Sequence, residues 1–145
     1  MKEKGILGFV TILTLGLTPM PSFSQQLGSE KNMPDQTARE LTISGGLAVC
    51  GLGGLSNKNK EYNMPVKEII GAISNSYARL VVERYSSRIG ASPKLTSDQI
   101  VNGFFIGIND LVSNTCKDQL SKDDQDFIAD TQKAVRKALK KNPKN

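Results

Sequence analysis

The sequence predicts an all-α protein: a small bundle of about four helices closed by one disulfide. Three observations lead there. Apolar residues recur at helical spacing through most of the chain beyond residue 60, and no segment shows the alternation of a half-buried strand. Helix start and stop signals bracket those stretches in order. Two cysteines, Cys50 and Cys116, stand far apart in a chain whose small, aromatic-poor core calls for a covalent staple.

The N-terminus comes first. Lys2 and Lys4 precede an uncharged run from Gly5 to Thr18 that is rich in Ile, Leu, Val and Phe. Pro19 and Pro21 break the run, and Ser22-Phe23-Ser24 then offers small residues two apart, the pattern signal peptidase requires. Residues 1–24 therefore read as a cleaved signal peptide. An uncleaved anchor is disfavoured, because a run of about 14 residues is shorter than the roughly 20 that span a bilayer. No Cys follows the run closely, which speaks against a lipid anchor. The expected location is periplasmic or secreted. Residues 25–37 are mostly polar and read as a flexible mature N-terminus. Residues 38–143 read as the helical domain, with a basic C-terminal end.

Ala38 to Leu55 are ambiguous. Leu41, Ala48, Leu52 and Leu55 can share a helical face with Gly45, yet Gly45, Gly46, Gly51, Gly53 and Gly54 crowd the same stretch. Each costs about 1 kcal/mol against Ala inside a helix. One helix, two short ones or a loop all remain open. After a polar loop, Pro65 suits a first helical turn. A stripe follows through Ile69, Ile70, Ile73, Tyr77, Leu80, Val81, Tyr85 and Ile89, and Gly90 stops it. Thr96 and Gln99 have capping-box spacing, with Leu95 and Ile100 placed as a hydrophobic staple. The next stripe runs Val101, Phe104, Phe105, Ile108, Leu111 and Val112, with Cys116 one turn beyond. Ser121 caps the last helix, Asp123, Asp124 and Asp126 occupy its electropositive first turn, and Pro143 ends it.

In an exported chain an even cysteine count points to a disulfide, Cys50 with Cys116. A reactive pair is disfavoured, since the spacing is not CxxC and no His is present to activate a thiolate. A bridge across so long a loop stabilises by roughly 4 kcal/mol on a chain-entropy estimate. Formal net charge is +5, but Lys133, Arg136, Lys137, Lys140, Lys141 and Lys144 all follow Asp130 with no acid among them. The basicity is thus local. It reads as a solvated helix end matched to the helix dipole, ahead of contact with an anionic membrane. Nucleic acid is not expected as a partner, because no basic-aromatic interleaving occurs.

Much chemistry is excluded. The absence of His removes the commonest general base, the commonest zinc ligand and the usual nucleophile pairs. Gly51-Leu52-Gly53-Gly54 lacks the Lys and Ser/Thr of a phosphate loop. Asp123, Asp124 and Asp126 lack the glycine and distal Glu of a calcium loop. No metal or other cofactor is expected. Glu83 and Asp110 are the one carboxylate pair that glycan or phosphoester hydrolysis could use, although Arg79, Arg84 and Arg88 are the readier partners for Glu83. Asn102, Asn109 and Asp110 flank the apolar stripe of the third helix, the two Asn seven apart and hence on one side. Gly103 and Gly107, four apart, give a smooth patch.

The third helix carries a resemblance. Gly103-Phe104-Phe105-Ile106-Gly107-Ile108-Asn109-Asp110 has the form GxxxGxxD, followed by Cys116, Leu120-Ser121, Gln125 and Lys137-Ala138-Leu139-Lys140-Lys141-Asn142-Pro143. From Gln99 to Pro143 this order resembles the Rap/Tai-type exported immunity proteins, which are small, helical and disulfide-bonded. Asn102 stands where that family has a further Cys, and the long helix between the two cysteines departs from its pattern. The chain is also similar to small exported cyanobacterial proteins of unknown function, and more loosely to HdeA-type acid chaperones. The first resemblance implies a non-enzymatic binding protein of the cell envelope that neutralises a partner protein. Asn102, Gly103, Gly107, Asn109 and Asp110 would form its contact surface. The alternatives are a carboxylate hydrolase and a membrane-surface or structural envelope protein using the basic tail.

Overall fold

The computed structural model describes residues 31–142. Among them are four α-helices and no strand: α1, Asp35–Lys58; α2, Val66–Arg84; α3, Ser97–Thr115; and α4, Lys122–Lys141. Short 3-10 turns at Lys60–Tyr62 and Lys117–Gln119 precede α2 and α4. The chain is the expected all-α bundle, and Cys50 and Cys116 form its disulfide with Cα atoms 5.8 Å apart. The expected signal peptide, residues 1–24, and the stop at Pro143 lie outside the described residues.

The glycine-rich segment is one continuous helix of 24 residues. It turns three of its five glycines inward, and this corrects the expected face. Gly45, Gly46, Val49 and Gly53 are buried, whereas Ala48, Leu52 and Leu55 face out. A Cβ on Gly46 would run into Leu111, and one on Gly53 would lie 2.6 Å from Leu120 Cδ2. The physical reason is closeness: the smooth side lets α2, α3 and the loop before α4 all approach one backbone. The contacts so gained offset the propensity deficit of the glycines.

The expected flexible segment also proves shorter at its C-terminal end. Met33 is fully buried. Its N–H donates to Arg88 O at 2.9 Å, and Gly90 N–H donates to Met33 O at 2.8 Å. This isolated bridge draws residues 33–37 into the fold, and α1 starts at Asp35 instead of Ala38. One Met among polar neighbours has no periodicity, so no local pattern marks it as buried.

α2 begins at Val66 behind Pro65, as expected, but ends at Arg84 without reaching Ile89. Ser86 and Ser87 take left-handed conformations, φ 50° and 63°, before Gly90 at φ 55°. Tyr85 and Ile89 still pack on the core, from the turn. The apolar stripe therefore outlasts the helix that generated it. α3 opens with the capping box: Thr96 Oγ1 accepts from Gln99 N–H at 3.1 Å, and Gln99 Oε1 accepts from Thr96 N–H at 2.9 Å. Ile100, Phe104, Ile108 and Val112 of α3 and Ile69, Ile70, Ala78 and Val81 of α2 form the centre of the core. Tyr77 meets Phe104 edge-on at 5.3 Å.

Ser121 caps α4, accepting from Asp124 N–H at 3.2 Å. Asp124 does more than sit in the first turn of its own helix. Its Oδ1 accepts from Val66 N–H at 3.0 Å, supplying α2 with the side-chain cap that Pro65 cannot give. Only the first part of α4 is well covered. Ile128 is buried and Phe127 meets Phe105 edge-on at 6.2 Å, but Arg136 to Lys141 are all exposed.

Candidate functional site

The five residues singled out on α3 divide into two groups. Asn109 is buried, 2% exposed, and its Nδ2 donates to Ile128 O at 3.3 Å, which ties α3 to α4. Its Oδ1 is buried without a partner. Gly107 rests on α1, where a Cβ would lie 3.0 Å from Thr42 Cγ2. These two hold helices together. Asn102, Gly103 and Asp110 are exposed. Asp110 accepts from Gln132 Nε2 at 3.3 Å and lies 3.5 Å from Asn114 Nδ2, at the limit of a hydrogen bond. The two Asn thus share a side of α3 but not an environment, because α4 packs beside Asn109 and leaves Asn102 uncovered.

The groove between α1 and α3 is a feature that sequence reasoning did not anticipate. It has a volume of about 460 Å³. Ala38, Thr42 and Ile43 of α1 form one wall, and Ile89 and Leu95 of the α2–α3 loop close one end. The buried Ile100 and Phe104 of α3 lie at its floor. Gly103 borders the opening, and a Cβ there would meet nothing within 4 Å. Asp35, Arg39 and Gln99 supply polar atoms. The groove exists because α1 and α3 touch closely at Gly107 and Gly46 and are stitched at Cys50–Cys116, while none of the described residues fills the space toward their N-termini. The half-exposed apolar residues of α1 and the small residue at Gly103 are its sequence signals. They are invisible until the two helices are placed side by side.

A second hollow, about 570 Å³, runs along Gln132, Lys133, Arg136, Lys137 and Lys140. All of its lining comes from α4, so it is the flank of one helix and not an enclosed site. Leu139, outside this hollow on the same helix, is 67% exposed. The carboxylates considered for hydrolysis keep separate company. Glu83 accepts from Arg79 Nε at 3.1 Å in a cleft with Ser97 and Val101, whereas Asp110 bonds to α4. At the start of α4, Lys122 Nζ lies 2.6 Å from Asp126 Oδ1, and that hydrogen bond raises the Lys122 pKa above its ordinary value. Among the described residues no three His, Cys, Asp or Glu are grouped to hold a metal ion. No helix among them is long and apolar enough to cross a membrane. Comparison with protein-family models, with curated proteins and with solved structures finds no match to the chain.

Proposed function

We propose that the protein is a non-enzymatic binding module of the cell envelope, exported to the periplasm or beyond, which docks a protein partner in the groove between α1 and α3. The observation that carries this reading is the open groove at Gly103, with apolar side chains beneath it and polar ones around it. An apolar hollow with a polar rim suits a large apolar side chain projecting from a partner's surface. Asn102 and Asp110, exposed on the same helix, extend the contact beyond the groove. The disulfide supports the compartment, because such bonds persist in oxidising surroundings. This mode of action is that of the immunity proteins which the third helix resembles. The hydrolase alternative lacks support, since Glu83 and Asp110 hold different partners.

Filling the groove tests the reading. Gly103→Leu has open space to enter and exchanges a poor helix former for a good one, so stability should rise by about 1 kcal/mol. A partner cross-linked to the native chain in a cell-envelope extract should be lost with this variant. Recovery of the same partner at the same yield would sink the groove as the docking site. Glycan or phosphoester cleavage abolished by Asp110→Ala would sink the non-enzymatic reading.

A further inference from the structure

We infer that the outer face of α1 is a self-association surface, through which two copies of the chain pair their α1 helices antiparallel about a two-fold axis at the level of Val49. The face is apolar and uncovered: Leu47 and Leu55 are 56% and 58% exposed, with Ile43 and Leu52 close behind. No charged residue occurs between Glu40 and Lys58. A patch of this kind on one rigid helix is unlike the scattered exposed leucines of an ordinary surface.

The pattern along the face identifies the occupant. Glu40, Ser44, Leu47, Gly51, Gly54 and Lys58 are spaced alternately four and three residues apart, the spacing of a helix-pairing seam. They also form three couples, each equidistant in sequence from Val49: Leu47 with Gly51, Ser44 with Gly54, and Glu40 with Lys58. In an antiparallel pair each residue meets the other member of its couple on the second copy. Leu47 then fills the space over Gly51, where a Cβ would meet nothing within 4 Å among the described residues. Ser44 faces the equally open Gly54. Glu40, whose carboxylate accepts from Gln36 among the described residues, faces Lys58 at both ends of a seam about 27 Å long. A parallel pair would set Glu40 against Glu40 and Lys58 against Lys58, and Gly51 against Gly51 would leave a void. Large meets small and acid meets base in the antiparallel arrangement alone. That self-complementarity is what an isologous two-fold interface requires. Ile43 and Leu55 flank the seam and exclude water from it. The pairing shares the wall residue Ile43 with the groove but uses neither Gly103 nor the groove floor, so Gly103→Leu should leave it intact.

Sedimentation equilibrium of the purified oxidised chain reads the outcome. At micromolar concentration the mass should be twice that of one mature chain. Leu47→Glu, an exposed position, should leave the helical circular dichroism spectrum unchanged and return the chain to monomer. Gly51→Glu, which has open space around it, is the second variant should Leu47→Glu fail to fold. Glu40→Lys alone and Lys58→Glu alone should each weaken dimerisation about tenfold, and the double reversal should restore it. The inference is overturned by a monomer at all concentrations, including one that binds phospholipid vesicles through this face. It is equally overturned by a dimer that ignores Leu47→Glu, or by single charge reversals that the double reversal fails to rescue.

Discussion

Asp124 shows how much one side chain can do. It accepts from Val66 N–H at the start of α2, and its other oxygen accepts from Ser121 Oγ at 2.9 Å at the start of α4. Two helix N-termini, both electropositive, share one nearly buried carboxylate. Asp124→Ala should lower the free energy of unfolding by about 2–3 kcal/mol, because it leaves the Val66 N–H buried and unpaired. Asp124→Asn keeps an acceptor and should lose about half as much. Urea titrations followed by circular dichroism measure both, and equal losses would disprove the shared cap. At this scale the sequence was partly legible. Ser121 and Thr96 announced their caps through local spacing, which depends on neighbours three residues away. Asp124 as a cap for α2 depends on a residue 58 positions distant, and no local pattern encodes that. Asn109 and Asp110 are adjacent and both bond to α4, yet the one is buried and the other lies on the surface.

Among the elements, α1 is the least ordinary. Its buried face is made largely of glycine, and its exposed face carries Ile43, Leu47, Leu52 and Leu55. Two substitutions separate helix propensity from packing. In the monomeric Leu47→Glu background, Gly51→Ala enters open space and should raise stability by about 0.5–1 kcal/mol, the intrinsic helix gain. Gly46→Ala gains the same propensity but forces Leu111 aside, and overpacking of this kind costs about 1–3 kcal/mol. Its melting temperature should therefore fall while that of Gly51→Ala rises, and thermal denaturation decides the matter. The contrast with α3 is instructive. α3 has an apolar stripe, a capping box and a clean buried face, and each was readable because local preference and tertiary placement agree. In α1 they conflict, since the residues that favour burial are outside and those that disfavour helix are inside.

For the whole molecule the disulfide is the main constraint. It joins α1 to the C-terminal end of α3 across 66 residues of sequence, with all of α2 inside the loop. Reduction, or Cys50→Ser with Cys116→Ser, should lower the unfolding free energy by about 4 kcal/mol. That is a large share of the total for a core this small. The check is a pair of denaturant titrations, with and without reductant, and coincident curves would show that the bridge contributes nothing. The same bridge fixes the C-terminal contact of α1 and α3, and the groove opens toward the other end of that helix pair. By itself, the sequence determined the fold class, the helix starts at Val66, Ser97 and Lys122, the cysteine pairing and the absence of histidine chemistry. Each of these rests on composition or on the spacing of near neighbours. Only the tertiary structure decided that the glycine-rich segment is one helix, that Gly45, Gly46 and Gly53 face inward, that Asp124 caps α2, and that Gly103 borders a groove while Asn109 is buried. Those outcomes depend on how closely distant backbones approach. Close approach is a property of pairs of elements, which no single stretch of sequence contains.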